Sequence, residues 1–266
     1  ELDAFRELLN DNMPLDHRTI THIIELEGSN IMNILARCVL EMYTFDPNPD
    51  DISRDNLMRQ SIELIAKFPT IIAYAYNIYR HSVQGRSLHI RHPRENLSIA
   101  ENFLYMMKHE NYSELDARML DLLLIIQAEH GGGNNSTFTV RVTSSTRTDT
   151  YSSIAAGIGS LKGPLHGGAN IKVINMFHHL KEGIKCLQEH RGGSKPACAN
   201  LDFYSGFIYE MIGLPQEIYT PIFAMARIVG WTAHRIEELN FEGRRIIRPA
   251  YKNILGELDY TPMNER

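Results

Sequence analysis

Three observations predict an all-α protein. Apolar residues recur three or four positions apart along nearly the whole chain, which is the period of an amphipathic helix. Ser, Asn or Asp often stands just before such a run, where its side chain can cap the first turn. Alternation of β-branched residues is confined to one segment, 137–145, so strand-like sequence is the exception.

The composition is that of a globular protein large enough for a substantial core. The 266 residues are 43% hydrophobic, and no apolar run reaches the roughly 18 residues that a membrane span needs. A formal net charge of -5 argues against a nucleic-acid partner, because such proteins neutralise phosphates with a basic surface. The few cysteines, Cys38, Cys186 and Cys198, form no close pair and favour a reduced, cytoplasmic setting.

Capping residues mark the helices expected in the first half of the chain. Ser98 with Glu101 forms a capping box, and Ser113 precedes another start. Pro69 is expected to separate two helices, and residues 81–97 are expected to form a polar loop. The predicted helices are 2–10, 17–27, 31–43, 50–65, 70–80, 98–108 and 113–128.

The second half continues the same pattern after the strand-like segment. Its predicted helices are 151–161, 168–181, 203–213 and 216–239. The tail from residue 242 is expected to be irregular, because it carries Pro249 and Pro262. The N-terminal residues already show a helical pattern and are not typical of a signal peptide.

Three short segments, 129–136, 163–170 and 199–206, interrupt the helical pattern with Gly, His and Asp. Each places a polar or titratable side chain at a helix boundary beside flexible backbone, where a ligand can approach. Taken singly they have ordinary interpretations: a histidine among glycines is often a turn residue, and Asp202 could be only a helix cap. Together they indicate a site.

The residue types in these segments suit carbon-acid chemistry on a carboxylate substrate. His166 stands just before a predicted helix, whose positive end favours a neutral imidazole that donates a hydrogen bond to a carbonyl oxygen. Asp202 is a natural general base for a proton next to that carbonyl. Arg227, in an apolar helix, and Arg248 are suited to bind carboxylates through two hydrogen bonds each.

The motifs GPLHGGAN, EHGGGN, NLDFYSG and IIRPA resemble those of the citrate synthase family, which includes the 2-methylcitrate synthases. The resemblance implies that His166 binds the thioester carbonyl of acetyl-CoA and that Asp202 removes the methyl proton. It also implies that His130, Arg227 and Arg248 hold oxaloacetate, with Arg248 reaching in from the neighbouring subunit of a homodimer. The products are then citrate and CoA.

The same resemblance implies an all-helical fold with a large domain and a small domain that closes over the substrates, without a metal or cofactor. The expected division is a large helical domain at 1–165, a remnant of the small domain at 166–201, and a remainder at 202–266 that returns to the large domain. Because the family has no sheet here, 136–145 is expected to be helical against its propensity.

The sequence departs from the family between the glycine-rich motif and the catalytic aspartate. There the family carries a Gly-His loop followed by Asp-Pro-Arg, which polarises the oxaloacetate carbonyl and binds a carboxylate. Only 36 positions separate His166 from Asp202, and no such loop lies among them. His178, His179 and His190 fall in this interval but not in the family's context, and no role is assigned to them.

Two explanations of this short interval are open. Either the residues are the ordered part of a longer chain, joined across a mobile small-domain segment, or the chain itself is short. The absence of an initiator methionine favours the first, and a domain that opens for its substrates is expected to be mobile without them. In the second case we expect negligible turnover.

Other functions fit the residues less well. Propionyl-CoA could replace acetyl-CoA, since one methylene changes binding by only about 1–3 kcal/mol. A non-catalytic helical scaffold would not need titratable side chains at glycine-rich boundaries. A triad of Ser205, His166 and Asp202 lacks the GxSxG elbow of a hydrolase. The close histidine pairs lack the cysteine or carboxylate partners of a metal site, and GIGSLKG is not a dinucleotide fingerprint.

Overall fold

The computed structural model describes residues 1–26, 28, 30–168, 171–175, 202–243, 245–250, 252 and 262–265, without the side chains of 202 and 265. Residues 171–175 are helical, two 3-10 helices span Gln216–Ile218 and Met263–Glu265, and these ranges contain no strand. The predicted all-α class is confirmed. The longer helices are α1 (Leu2–Asn12), α2 (His17–Glu25), α3 (Ile31–Phe45), α4 (Arg54–Ser82), α5 (Ile99–Lys108), α6 (Glu114–Gln127), α7 (Asn135–Ser144), α8 (Thr150–Lys162), α9 (Asp202–Ile212) and α10 (Tyr219–Asn240).

Pro69 does not separate two helices, and that part of the prediction is wrong. It lies inside α4, which runs from Arg54 to Ser82. An interior proline removes one intrahelical hydrogen bond and crowds the preceding turn, at a cost of about 3 kcal/mol. Every residue from Phe68 to Ile78 is buried. Burial of a large apolar side chain stabilises a protein by roughly 1.5–3 kcal/mol, so the packing of this stretch offsets the cost of the proline.

The strand-like segment is helical, as expected, and forms most of α7. Its Val140 is fully buried against α8, where a Cβ on Gly157 would fall only 2.5 Å from the Val140 side chain. The missing side chain of Gly157 therefore lets the two helices approach closely. Within α7, Thr139 and Thr143 donate their hydroxyl protons to carbonyl groups four residues back, at 2.8 Å each. Packing and these internal hydrogen bonds override the β propensity.

The predicted helix starts agree with the observed caps. Ser98 and Glu101 form both hydrogen bonds of a capping box, and Ser113 forms another with Asp116. Between α4 and α5 the chain is non-helical, as predicted, and the side chain of Asn102 ties this loop to α5 by exchanging hydrogen bonds with the backbone of Arg94.

The long C-terminal helix α10 is the centre of the packing that positions the site. It packs against α4, α6, α7 and α8, and its Trp231 is fully buried. The loop that follows α6 and the turn that follows α8 both contact α10. These two connections carry His130 and His166, so α10 brings together residues that lie far apart in the sequence.

Cys38 is fully buried in α3, where burial raises the pKa of its thiol to about 12 and keeps it protonated. Cys186 and Cys198 lie outside the described residues. In the described part of the chain, no helix combines the length and apolar character needed to cross a membrane.

Candidate active site

The loop between α6 and α7 carries His130, whose side chain is exposed. Gly131, next to it, has a φ of 86°, a backbone conformation that glycine adopts readily. The carboxylate of Glu129 accepts hydrogen bonds from the backbone N–H groups of His130, at 2.8 Å, and of Gly131. Glu129 therefore holds the turn in which His130 stands.

The turn after α8 carries His166, which is half-buried. Its backbone N–H donates to the carbonyl group of Gly163 at 2.9 Å. At Gly167 a Cβ would lie 2.1 Å from the carbonyl oxygen of Leu161 and 2.6 Å from the side chain of Thr220 on α10. Thr220 also donates to the Gly167 carbonyl group at 2.8 Å. The glycines of the motif thus let the His166 turn lie directly against α10.

His166 is neutral at physiological pH. Burial lowers the pKa of its imidazole below the usual value, and electrostatic interactions with Arg227 and His130 lower it further. The sequence predicts a neutral imidazole from a helix terminus; in the structure the causes are burial and electrostatic interactions with neighbouring side chains. Arg227 and His130 therefore lie near enough to His166 to influence its pKa.

A short chain of hydrogen bonds couples the tautomer of His166 to the orientation of the Asn134 amide. The hydroxyl oxygen of Ser136 lies 3.1 Å from Nε2 of His166. It donates its single proton to Oδ1 of Asn134 at 2.9 Å and accepts the indole N–H of Trp231 at 3.2 Å. In this arrangement Nε2 of His166 has to be a donor. Exchanging the oxygen and nitrogen of the Asn134 amide would let Ser136 donate to His166 and leave the ring proton on Nδ1.

Arg227 lies on α10 with 1% of its surface exposed. Its Nε donates to the carbonyl group of Gln127, at the end of α6, at 2.8 Å, and its guanidinium carbon lies 4.7 Å from the centre of the Phe223 ring. The charge of Arg227 therefore lies at the end of α6 and also acts on His166. A buried guanidinium beside a neutral imidazole is suited to a negatively charged ligand that also carries a carbonyl group.

Two predicted site residues are not joined to this group by described contacts. Arg248 is exposed and lines an open cleft of about 1060 Å³ that also borders Gly132 and His234, next to the His130 loop. Asp202 is the first residue of α9, but its side chain lies outside the described part of the structure.

Among the described residues, those considered for other chemistries form no competing site. Ser205, the nucleophile of the rejected triad, is fully buried. Among the described residues, no group of three or more His, Cys, Asp or Glu side chains is arranged to hold a metal ion. His178, His179 and His190 lie outside the described residues.

Sequence reasoning missed the residues that support His130 and His166. Asn134 and Ser136 form the hydrogen-bond chain that reaches His166, Glu129 holds the His130 turn, and the Gln127 carbonyl group accepts from Arg227. All of them lie in or just before the segment EHGGGNNS, which the sequence does single out. The signal available was the run of amides and a hydroxyl directly after the glycines, immediately before a helix start.

The family model described as the citrate synthase C-terminal domain matches residues 1–187 and 180–250 of the chain. The chain belongs to the citrate synthase family. The resemblance predicted from the motifs is thereby confirmed. The match consists of two pieces that overlap at residues 180–187. This overlap lies between His166 and Asp202, in the interval that is shorter here than in the family.

Similar proteins include citrate synthases and 2-methylcitrate synthases. A citrate synthase from Haloferax volcanii is 32% identical over all of this chain and 84% of its own length. The 2-methylcitrate synthase 1 of Corynebacterium glutamicum is 33% identical over 88% of this chain and 75% of its own. The crystal structure of citrate synthase from Pyrobaculum aerophilum superimposes with a TM-score of 0.84 at 29% identity, covering all of this chain and 81% of that one.

The comparisons also show that this chain is shorter than its relatives, as the short interval between His166 and Asp202 indicates. The alignment with the Haloferax protein runs over 328 positions, whereas this chain has 266 residues. Dozens of residues of that relative therefore have no counterpart here.

Proposed function

We propose that this protein condenses acetyl-CoA with oxaloacetate to give citrate and CoA. One observation carries the proposal: a neutral His166 shares a site with the buried cation Arg227 and with His130, in a chain of the citrate synthase family. A neutral hydrogen-bond donor can stabilise charge on a thioester oxygen, while a guanidinium beside it binds the carboxylate of the second substrate. Homologues named citrate synthase support the same assignment.

In this proposal Asp202 removes a proton from the acetyl methyl group, and the electron pair of that C–H bond forms the enolate. The Nδ1–H group, which His166 carries when Ser136 donates to its Nε2, stabilises the negative charge on the thioester oxygen. The enolate carbon then attacks the ketone carbon of oxaloacetate, and the resulting alkoxide takes up a proton. Water hydrolyses the thioester of the condensed product, releasing CoA and citrate.

His130, Arg227 and Arg248 hold oxaloacetate in this scheme. Arg248 reaches the site from the neighbouring subunit of a homodimer, which agrees with its exposure on a single chain. Residues 1–165 form the large domain, 166–201 a small-domain remnant, and 202–266 the return to the large domain. The protein acts in the cytoplasm, and the reaction needs no metal or cofactor because histidine and arginine donors polarise both substrates.

Propionyl-CoA is the alternative acyl donor. The 2-methylcitrate synthase of Corynebacterium glutamicum and the citrate synthase of Haloferax volcanii match this chain at nearly the same identity, 33% and 32%. An additional methylene changes binding by about 1–3 kcal/mol, so the two acyl-CoA substrates should differ in kcat/KM by about 10- to 200-fold. We favour acetyl-CoA.

The absence of the family's Gly-His loop affects the expected turnover number. If the 266 residues are the complete chain, the oxaloacetate carbonyl lacks the polarising histidine of the family. Loss of one such donor lowers kcat by about 10²–10³-fold, and the arginine that accompanies it is lost as well. Turnover of the 266-residue chain is then negligible, although enolisation at His166 and Asp202 is retained.

Two assays on the purified protein test the function. Release of CoA thiol from acetyl-CoA with oxaloacetate measures the whole reaction, and uptake of deuterium into the acetyl methyl group measures enolisation alone. The intact mass, 30.4 kDa for these 266 residues, shows whether the chain under test is longer. We expect deuterium uptake in either case; its absence, together with absence of thiol release, would show that the protein is a non-catalytic scaffold.

A further inference from the structure

The C-terminal end of α6 is bonded to α10. Carbonyl groups in the last turn of a helix have no partner within that helix. Nε of Arg227 donates to the carbonyl group of Gln127 at 2.8 Å, and the backbone N–H of Gly230 donates to that of Ala128 at 3.1 Å. A cation at this end also interacts favourably with the helix dipole. The chain that leads into the His130 turn is thus anchored on α10.

Glu129 adds a further contact between this segment and α10, one residue beyond Ala128. One oxygen of its carboxylate lies 3.1 Å from Nε2 of His234 on α10, and the other accepts the backbone N–H groups of His130 and Gly131. Burial acts to raise the pKa of Glu129, but the hydrogen bond from Gly131 and the interactions with His234 lower it overall. Glu129 is therefore ionised at neutral pH and can hold the turn and the helix at once.

All three contacts come from one face of α10. Positions 227, 230 and 234 are three and four residues apart, which aligns them along a helix, and they meet positions 127, 128 and 129 in the same order. The close approach requires Gly230, where a Cβ would lie 2.4 Å from the Ala128 carbonyl oxygen and 2.6 Å from the Glu129 carboxylate.

We propose that Glu129 and His234 are positioning residues for His130, because their contact fixes its turn on the helix that carries Arg227. The inference rests on the proposed function, in which His130 and Arg227 hold oxaloacetate. A dicarboxylate that is bound at two points requires a fixed separation between those points. Loosening the turn should therefore weaken oxaloacetate binding and leave the groups that act on acetyl-CoA in place.

The matched pair of variants is Glu129→Ala and Glu237→Ala. Glu237 also contacts His234, with an oxygen 3.4 Å from Nδ1, but no described contact joins it to the His130 turn. Glu129→Gln keeps one oxygen that can accept from the backbone, and His234→Ala removes the link from the other side. For each variant, NMR measures amide hydrogen exchange at residues 130 and 131 without substrate, and kinetics measure kcat and the KM for oxaloacetate.

We expect Glu129→Ala to speed exchange of the two amides at least tenfold and to raise the KM for oxaloacetate about tenfold, with kcat within twofold. Glu129→Gln should recover part of both effects, His234→Ala should show the KM effect, and Glu237→Ala should show neither. Equal behaviour of Glu129→Ala and Glu237→Ala, or a fall in kcat at unchanged KM, would overturn the proposal. Amide exchange needs no substrate, so a wild-type protein without thiol release and without deuterium uptake would count against the proposed function while the exchange data still decide whether Glu129 holds the turn.

Discussion

Two arginines on α10, Arg227 and Arg235, are equally buried but belong to regions with different roles. Each has 1% of its surface exposed, and they lie about two helical turns apart. Arg227 bonds to the end of α6 and lowers the pKa of His166. Arg235 lies instead in the corner where α7 ends and α8 begins.

The Arg235 corner, residues 144–153, supplies the guanidinium with neutral acceptors only. The hydrogen bonds of Arg235 run to the hydroxyl groups of Ser144, Ser153 and Thr150 and to the carbonyl group of Thr148, at 3.0, 2.8, 3.2 and 2.7 Å. Burial lowers the pKa of Arg235 to about 10, and the charge of Asp149 opposes this. Its donors are directed at the protein's own loop.

The comparison teaches that burial of an arginine does not by itself identify a binding residue. Both side chains satisfy the rule that a buried arginine needs partners. They differ in what surrounds the guanidinium: a structural corner of hydroxyl and carbonyl groups for Arg235, and the end of α6, the Phe223 ring and the nearby His130 and His166 for Arg227. The predictions that follow test this division into a catalytic region and a structural region.

The largest expected effect is that of Asp202→Asn. An amide cannot act as a general base, so kcat for condensation should fall by at least about 10³-fold while oxaloacetate binding stays nearly intact. His166→Ala should impair enolisation by a similar factor, because the thioester oxygen loses its donor. Thiol release and calorimetric titration with oxaloacetate measure the two quantities. Wild-type kcat in Asp202→Asn would mean that another residue is the base.

The next effect is on stability and belongs to the structural region. Arg235→Met leaves the carbonyl and hydroxyl groups of the corner without their donor and should lower the free energy of unfolding by about 3 kcal/mol. The KM and kcat of the folded fraction should not change. Urea denaturation measures the first and steady-state kinetics the second. Arg6→Met, at an exposed arginine, is the control and should change stability by less than about 0.5 kcal/mol. A change in kcat or KM of folded Arg235→Met would show that Arg235 is not purely structural.

The sequence predicts the helices well because they depend on local signals. The capping boxes at Ser98 and Ser113 and the apolar period are visible in a few consecutive residues. Pro69 was wrongly expected to end a helix, because its cost is local whereas the packing that offsets it comes from the whole of α4. The helical conformation of 137–145 also depends on packing against other helices, and only the family resemblance predicted it.

The site was only partly predictable for the same reason. His130, His166 and Arg227 stand in motifs, and the structure brings them together. The difference between Arg227 and Arg235 does not appear in the sequence, since both lie in one apolar helix and their partners are 82 to 100 residues away. The role of Ser136 likewise depends on a contact with a residue 30 positions later.

A smaller effect is expected for Arg227→Gln. The loss of a charged hydrogen-bond donor to a carboxylate costs about 2 kcal/mol, so the KM for oxaloacetate should rise about 30-fold. The free energy of unfolding of Arg227→Gln, measured beside that of Arg235→Met, shows how far each arginine also stabilises the fold. The same two assays apply. If oxaloacetate binds Arg227→Gln as tightly as the wild type, Arg227 is structural like Arg235.

The smallest expected effect is on the pH dependence of kcat/KM. It distinguishes Arg227 from Arg235 by a shift of the pH profile, so it does not depend on the rate at a single pH. The pKa of His166 lies below its ordinary value, so the neutral imidazole persists as pH falls through the range near 6.5, and the acid limb of kcat/KM should lie below that range. The stability that His166 contributes is complete above the ordinary pKa and is lost as pH falls toward the lowered one. Arg227→Gln removes one cause of the shift and should move the acid limb to higher pH, whereas Arg235→Met should leave it in place. An acid limb that moves equally in both variants would show that the charge of Arg227 has no special access to His166.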